Sequence, residues 1–150
     1  MTASIENKAP ATSGQLATFR LDGDLYGIEV EHVQEVLRSQ QLTRVPLAPS
    51  AVAGLINLRG QVVTAIELRE RLGRPKRPEG IDAVVIVVRL DGEAVSLLVD
   101  SIADVVDVDA GDFESPPDTL EGQGRDLIRG AYKLDGQLLL ALDVHKAVSA

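Results

Sequence analysis

Gly54-Leu55-Ile56-Asn57-Leu58-Arg59-Gly60-Gln61-Val62-Val63-Thr64-Ala65-Ile66-Glu67-Leu68 can be laid on Gly130-Ala131-Tyr132-Lys133-Leu134-Asp135-Gly136-Gln137-Leu138-Leu139-Leu140-Ala141-Leu142-Asp143-Val144. Glycine, leucine, glycine-glutamine and alanine coincide, and the apolar pattern runs in step. Each copy reads as two apolar strands joined by a glycine turn. In the first copy the turn carries a lone arginine, Arg59, flanked by apolar residues. A charged side chain lifted on a tight turn suits contact with another protein better than catalysis.

A second pair precedes it. Arg20-Leu21-Asp22-Gly23-Asp24-Leu25 matches Arg89-Leu90-Asp91-Gly92-Glu93-Ala94 at nearly the same separation. The Asp-Gly pairs are hairpin signals, because glycine accepts the positive φ of a type I′ turn. Each half therefore runs hairpin, connection, hairpin, which is the mark of an internal duplication. The joint is Gly73-Arg74-Pro75-Lys76-Arg77-Pro78-Glu79-Gly80, whose prolines and glycines interrupt regular structure. The expected halves are about 16–73 and 80–148, after a flexible tail over 1–15 that is rich in Ala, Ser and Thr. Duplicated small sheets close into barrels to remove exposed edges and can exchange strands between halves.

Helices look short and few. Val30, Val33, Val36 and Leu37 have helical spacing over about Glu31 to Arg38. Glu67, Leu68, Arg71 and Leu72 mark a second segment, with Glu67 and Arg71 at the i, i+4 distance of a surface pair and Gly73 as its stop.

Composition excludes several function classes. At 150 residues the chain can bury about two thirds of its unfolded surface. With an aromatic share of 3%, Val, Leu, Ile and Ala must supply that core. A net charge of -8 opposes nucleic acid, whose binding needs cations to displace counterions. The absence of cysteine rules out disulfides, thiolate metal sites and a thiol nucleophile, and fits a reducing compartment. The longest strongly apolar run, Ala83 to Val88, is far short of the roughly 20 residues of a membrane span. No secretory h-region is visible, so the expectation is a cytoplasmic protein.

Recognisable active-site chemistry is missing. Gln61 stands after Gly60 where a phosphate loop needs lysine, and no G-x-S-x-G elbow exists. Asp107, Asp109 and Asp112 do not keep the order of a calcium loop. His32 and His145 receive no role, and neither a metal nor a cofactor is expected.

The ordered set Tyr26-Gly27-Ile28, Val33-Gln34-Glu35-Val36-Leu37, Val45-Pro46, Val52-Ala53-Gly54-Leu55-Ile56-Asn57-Leu58-Arg59-Gly60, Glu67-Leu68-Arg69, Val99-Asp100-Ser101-Ile102, Pro116-Pro117 and Leu142-Asp143 resembles the CheW-type chemotaxis coupling proteins over residues 16–148. Thr64-Ala65 stands where that family often has Pro-Val, and Glu67 where Asp is common. The resemblance implies a mainly β fold of two interleaved, SH3-like, five-stranded β-barrels with a few short helices. It also implies a non-enzymatic adaptor between chemoreceptor cytoplasmic tips and the regulatory domain of a CheA-type histidine kinase, meeting the membrane only through receptors. A coupling protein for surface motility or second-messenger control is the alternative. By the same resemblance Arg59 faces a groove that receives the receptor hairpin and Glu35 pairs with it. Val33, Val36, Leu37 and Leu58 supply apolar contact, unless Val33, Val36 and Leu37 face the barrel core instead, with Asn57 either touching the partner or capping the turn. Gln41 to Val45 and Phe113 to Thr119 are candidate faces for the kinase.

Overall fold

The computed structural model describes residues 14–38, 40–116 and 123–149; the expected tail therefore lies outside the described residues up to position 13. Eleven strands follow one another: β1 (Gly14–Leu21), β2 (Asp24–Glu29), β3 (Val33–Leu37), β4 (Val52–Leu58), β5 (Gln61–Glu67), β6 (Val84–Leu90), β7 (Glu93–Val99), β8 (Ser101–Val108), β9 (Phe113–Glu114), β10 (Ile128–Leu134) and β11 (Gln137–Leu142). Among the described residues, short helix α1 (Leu68–Arg71) follows β5 directly and short helix α2 (Val144–Val148) follows β11 after its N-cap Asp143. Among the described residues, no helix is long and apolar enough to cross a membrane.

The strands form two sheets, in the orders β3-β6-β7-β5-β4 and β8-β1-β2-β11-β10-β9. The second sheet reaches six strands through β9, which is only two residues long. Each sheet mixes strands from both ends of the chain. Hairpin β1–β2 lies among the carboxyl-terminal strands and hairpin β6–β7 among the early ones. The joins are parallel, β2 on β11 and β5 on β7, while the other strand pairs are antiparallel.

Period-two alternation sorts the apolar side chains into three cores. Leu139 and Ala141 of β11 face a core inside the six-stranded sheet, with Leu16, Leu25 and Tyr132. Val85 and Val87 of β6 face another inside the five-stranded sheet, with Ile56, Ala65 and Leu98. The alternate residues, Leu140 and Leu142 or Ile86 and Val88, meet Phe19, Leu21, Ile66, Leu97 and Val99 in a core between the sheets. Strands buried on both faces read as unbroken aliphatic runs, which is how Val85–Val88 and Leu139–Leu142 look in sequence.

The hairpin turns follow their chemistry. Asp22-Gly23 and Asp91-Gly92 have positive φ at both residues, 52° and 88° in one, 51° and 86° in the other. The helical reading of Glu31–Arg38 is corrected: a single 3-10 turn, Val30–His32, leads into strand β3. A register shift between Val33 and Glu35 in the β3–β6 pairing explains the misleading period. A bulge returns residues three apart to one face of a strand, imitating a helix. The expected Glu67–Arg71 pair is also absent. Glu67 caps α1 by accepting from the Arg69 N–H, and Arg71 instead donates to the carbonyls of Lys146 and Ala147.

The five-stranded sheet ends in two edges, β3 and β4, and the chain closes the seam between them. After β3, Thr43 exchanges two backbone hydrogen bonds with Leu55 of β4, at 2.9 and 2.8 Å. Gly54 makes this approach possible, since a Cβ there would sit 2.6 Å from the Thr43 carbonyl oxygen.

Candidate functional site: a salt-bridged seam beside an apolar groove

At the end of this seam, the turn between β4 and β5 presents Arg59. Its φ is +53°, in the region where other hairpins of the chain use aspartate, and Gly60 follows at +88°. The side chain of Asn57 accepts from the Gly60 N–H at 2.9 Å, so Asn57 secures the turn. A left-handed arginine is held against its intrinsic preference, which makes its placement informative.

Across the seam, Arg59 Nη1 and Nη2 donate to Glu35 Oε2 and Oε1 at 2.9 and 2.8 Å, a fork-on-fork contact from the β4–β5 turn to β3. The guanidinium's hydrogen bonds hold the Glu35 carboxyl below its ordinary range despite slight desolvation. The Arg59 side chain is 74% exposed against 20% for Glu35. Two of the five guanidinium N–H groups are used in this contact, and those remaining can reach a partner's oxygen without breaking the pair.

Register places the apolar residues. Glu35 and Leu37 lie opposite Val87 and Val85, on the inner side of the five-stranded sheet. Val33 and Val36 lie opposite Val88 and Ile86, on the side facing the other sheet. Leu37 and Leu58 pack against the inner core, Val33 is half-buried against the inter-sheet core, and Val36 is 46% exposed. On the other sheet, edge strand β8 sets Ile102 opposite Phe19 and Val105 opposite Ala17, and both side chains are exposed. Phe19 belongs to the inter-sheet core, so Ile102 and Val105 continue that core into solvent. Val33 and Val36 of β3 and Ile102 and Val105 of β8 thus lie on the inter-sheet side of the free edges of their two sheets, with Val36, Ile102 and Val105 exposed. Sequence reading missed Ile102 and Val105 because a second bulge, between Ala17 and Phe19 in the β1–β8 pairing, hides their common face.

Sequence reading also missed a second cluster, around Asp100. This carboxylate accepts from Arg69 Nε and Nη2 at 3.0 and 2.6 Å, from Arg77 Nε at 3.0 Å and from the Asp22 N–H at 2.8 Å. Burial pushes its pKa up, but the hydrogen bonds from Arg69, the Asp22 amide and Arg77 outweigh burial and hold it at about 2. Arg77 also forks onto Glu67, while Arg74 binds Asp22, Asp24 and the Tyr26 hydroxyl. Glu67, Arg69, Arg74 and Arg77 line a cavity of about 550 Å³ together with Leu42, Val52 and Ile81. These four charged groups are committed to one another or to Asp100, Asp22 and Asp24. Among the described residues no three His, Asp or Glu side chains gather as metal ligands.

The candidate kinase faces are placed differently. Residues 41–45 run along the outer edge of β4, with Leu42 and Val45 exposed. Phe113 and Glu114 form β9, and residues 117–119 lie outside the described residues.

Comparison with known proteins agrees with this architecture. Residues 15–150 match the family model of the CheW-like domain. The chemotaxis protein CheW of Treponema pallidum is 32% identical over 140 residues, covering 91% of this chain and 82% of that protein. The CheW of Bacillus subtilis is 30% identical over 145 residues, covering 97% and 90%. The crystal structure of the scaffolding protein TtCheW from Thermoanaerobacter tengcongensis superposes with a TM-score of 0.82 at 28% identity, covering 93% of this chain and 94% of that one. A mainly β chain of two interleaved sheets, matched along its length by this domain, belongs to the CheW-like family of chemotaxis proteins.

Proposed function

We propose that this protein is a cytoplasmic, non-enzymatic adaptor that couples the tips of chemoreceptors to a CheA-type histidine kinase, with the β3–β8 groove as the receptor's docking site. The observation that carries this reading is the Glu35–Arg59 fork standing in solvent beside the exposed Val36 of edge strand β3. A helical hairpin is amphipathic, and such helices dock by laying apolar side chains into a groove. Val33, Val36, Ile102 and Val105 offer that surface. The remaining N–H groups of Arg59 offer a directional contact for a receptor carboxylate or backbone carbonyl.

Glu35 presets the guanidinium in the free protein, so less side-chain freedom is lost on binding. The scaffolding role named for TtCheW supports a binding rather than a catalytic function. The acidic surface argues against nucleic acid as a partner.

The experiment is Arg59→Glu, with folding checked by circular dichroism and receptor-tip binding measured by pull-down and titration. Binding should weaken on the order of tenfold or more, because repulsion replaces a charged contact near the centre of the interface. The double variant Glu35→Arg, Arg59→Glu restores an internal pair but presents the wrong charge, so binding should stay weak. Unchanged binding in either folded variant discards the site.

A further inference from the structure

Strands β7 and β8 are consecutive in sequence yet belong to different sheets, and Asp100 alone separates Val99 from Ser101 where the chain crosses over. Around this one carboxylate converge the Asp22 amide from the β1–β2 turn of the six-stranded sheet, Arg69 from α1 at the end of β5, and Arg77 from the connection between α1 and β6. The backbone N–H of Asp100 donates to the Arg20 carbonyl of β1 at 3.1 Å. The arginines are almost closed off, with side chains 8% and 9% exposed. Their other donors are used as well. Arg69 Nη1 holds the Pro75 carbonyl at 2.9 Å, and Arg77 holds Glu67 with both Nη groups.

The core between the sheets is made of Leu, Ile, Val and Ala side chains with Phe19 and Tyr26; apart from the Tyr26 hydroxyl, their attraction is non-directional and tolerates rotation of one sheet on the other. A carboxylate gripped by two guanidinium groups is directional. We infer that Asp100 is the positioning residue of the groove: by tying the crossover to both sheets it sets their relative orientation, and with it the separation of the β3 wall from the β8 wall. Ile102 and Val105 follow closely on the same strand, so a rotation about the crossover moves them relative to the five-stranded sheet that carries Val36. A buried ion pair contributes little net stability compared with apolar packing, but it can select one arrangement among several. The inference rests on the groove being the docking site.

The test exploits the absence of cysteine in the chain. Spin labels at Val62→Cys and Val105→Cys, exposed positions on opposite sheets, report the relative orientation by double electron–electron resonance. The parent should give one narrow distance distribution. Asp100→Asn should broaden or displace it while amide protection in β6 and β11 persists. In the unlabelled protein, receptor-tip binding should fall on the order of tenfold, because the walls no longer match one partner. Arg77→Gln, which leaves the Arg69–Asp100 fork in place, should give a smaller displacement and serves if Asp100→Asn does not fold. Distributions superimposable on the parent in both variants would overturn the inference. So would uniform loss of protection through both sheets, which marks a merely stabilising role. A displaced distribution with unchanged receptor-tip binding would refute the groove as docking site and leave Asp100 as the residue that orients the sheets.

Discussion

Replacing Gly54 by alanine should open the seam of the five-stranded sheet. The new Cβ would stand 2.6 Å from the Thr43 carbonyl oxygen, whereas ordinary contact needs at least 3.4 Å, and the obstructing atom is backbone. Gly54 also has φ +154°, which side chains rarely adopt. Separating the two segments breaks the Thr43–Leu55 hydrogen bonds of 2.9 and 2.8 Å, a net loss of about 1 kcal/mol each. Backbone strain adds about 1 to 3 kcal/mol. The expected total is about 3 to 5 kcal/mol, which in a domain of this size lowers Tm by roughly 10 °C or more. Gly60→Ala is the control: its φ is +88° but nothing lies within 4 Å of its Cβ, so strain acts without collision. The assay is paired thermal unfolding, with hydrogen exchange at the Thr43 and Leu55 amides. If Gly54→Ala costs no more than Gly60→Ala, or leaves those amides protected, the seam is not closed as described.

Acid should weaken the fold through Asp100. Its carboxyl is held at about 2 in the folded protein against 3.8 ordinarily, so the unfolded chain takes up the proton first. The stabilisation is complete above about pH 4 and is lost as pH falls toward 2. It amounts to about 2 kcal/mol, and a flatter urea-denaturation profile over that range in Asp100→Asn would confirm it. Val105→Asp places a charge on an exposed groove wall, so stability should change by about 0.5 kcal/mol or less while receptor-tip binding weakens severalfold. Equal affinity for the parent and this variant would remove β8 from the interface.

The hairpins were legible because Asp-Gly and Arg-Gly pairs specify left-handed turns locally. What failed was periodicity near bulges. Val33 and Val36 share a strand face at a spacing of three, which sequence alone assigns to a helix. Ile102 and Val105 have the same spacing for the same reason, and so their wall went unseen. The pairing of Glu35 with Arg59 could be expected only through family resemblance, since no local rule links positions 24 residues apart. The arginine cluster was hidden in a segment whose prolines and glycines mark it as a connection. Its conformation is set by Asp100 and Glu67, carboxylates that look in sequence like any others.

The parallel joins, β2 on β11 and β5 on β7, carry a consequence for biosynthesis. During translation the β1–β2 hairpin leaves the ribosome early, but the neighbour it needs is made last, after more than a hundred intervening residues. The five-stranded sheet can assemble once β7 has emerged; the six-stranded one must wait for almost the whole polypeptide. Loop closure over such spans is slow. A nascent chain stalled before Gln137 would hold an early hairpin with an unmatched edge, a natural target for a holding chaperone or a protease.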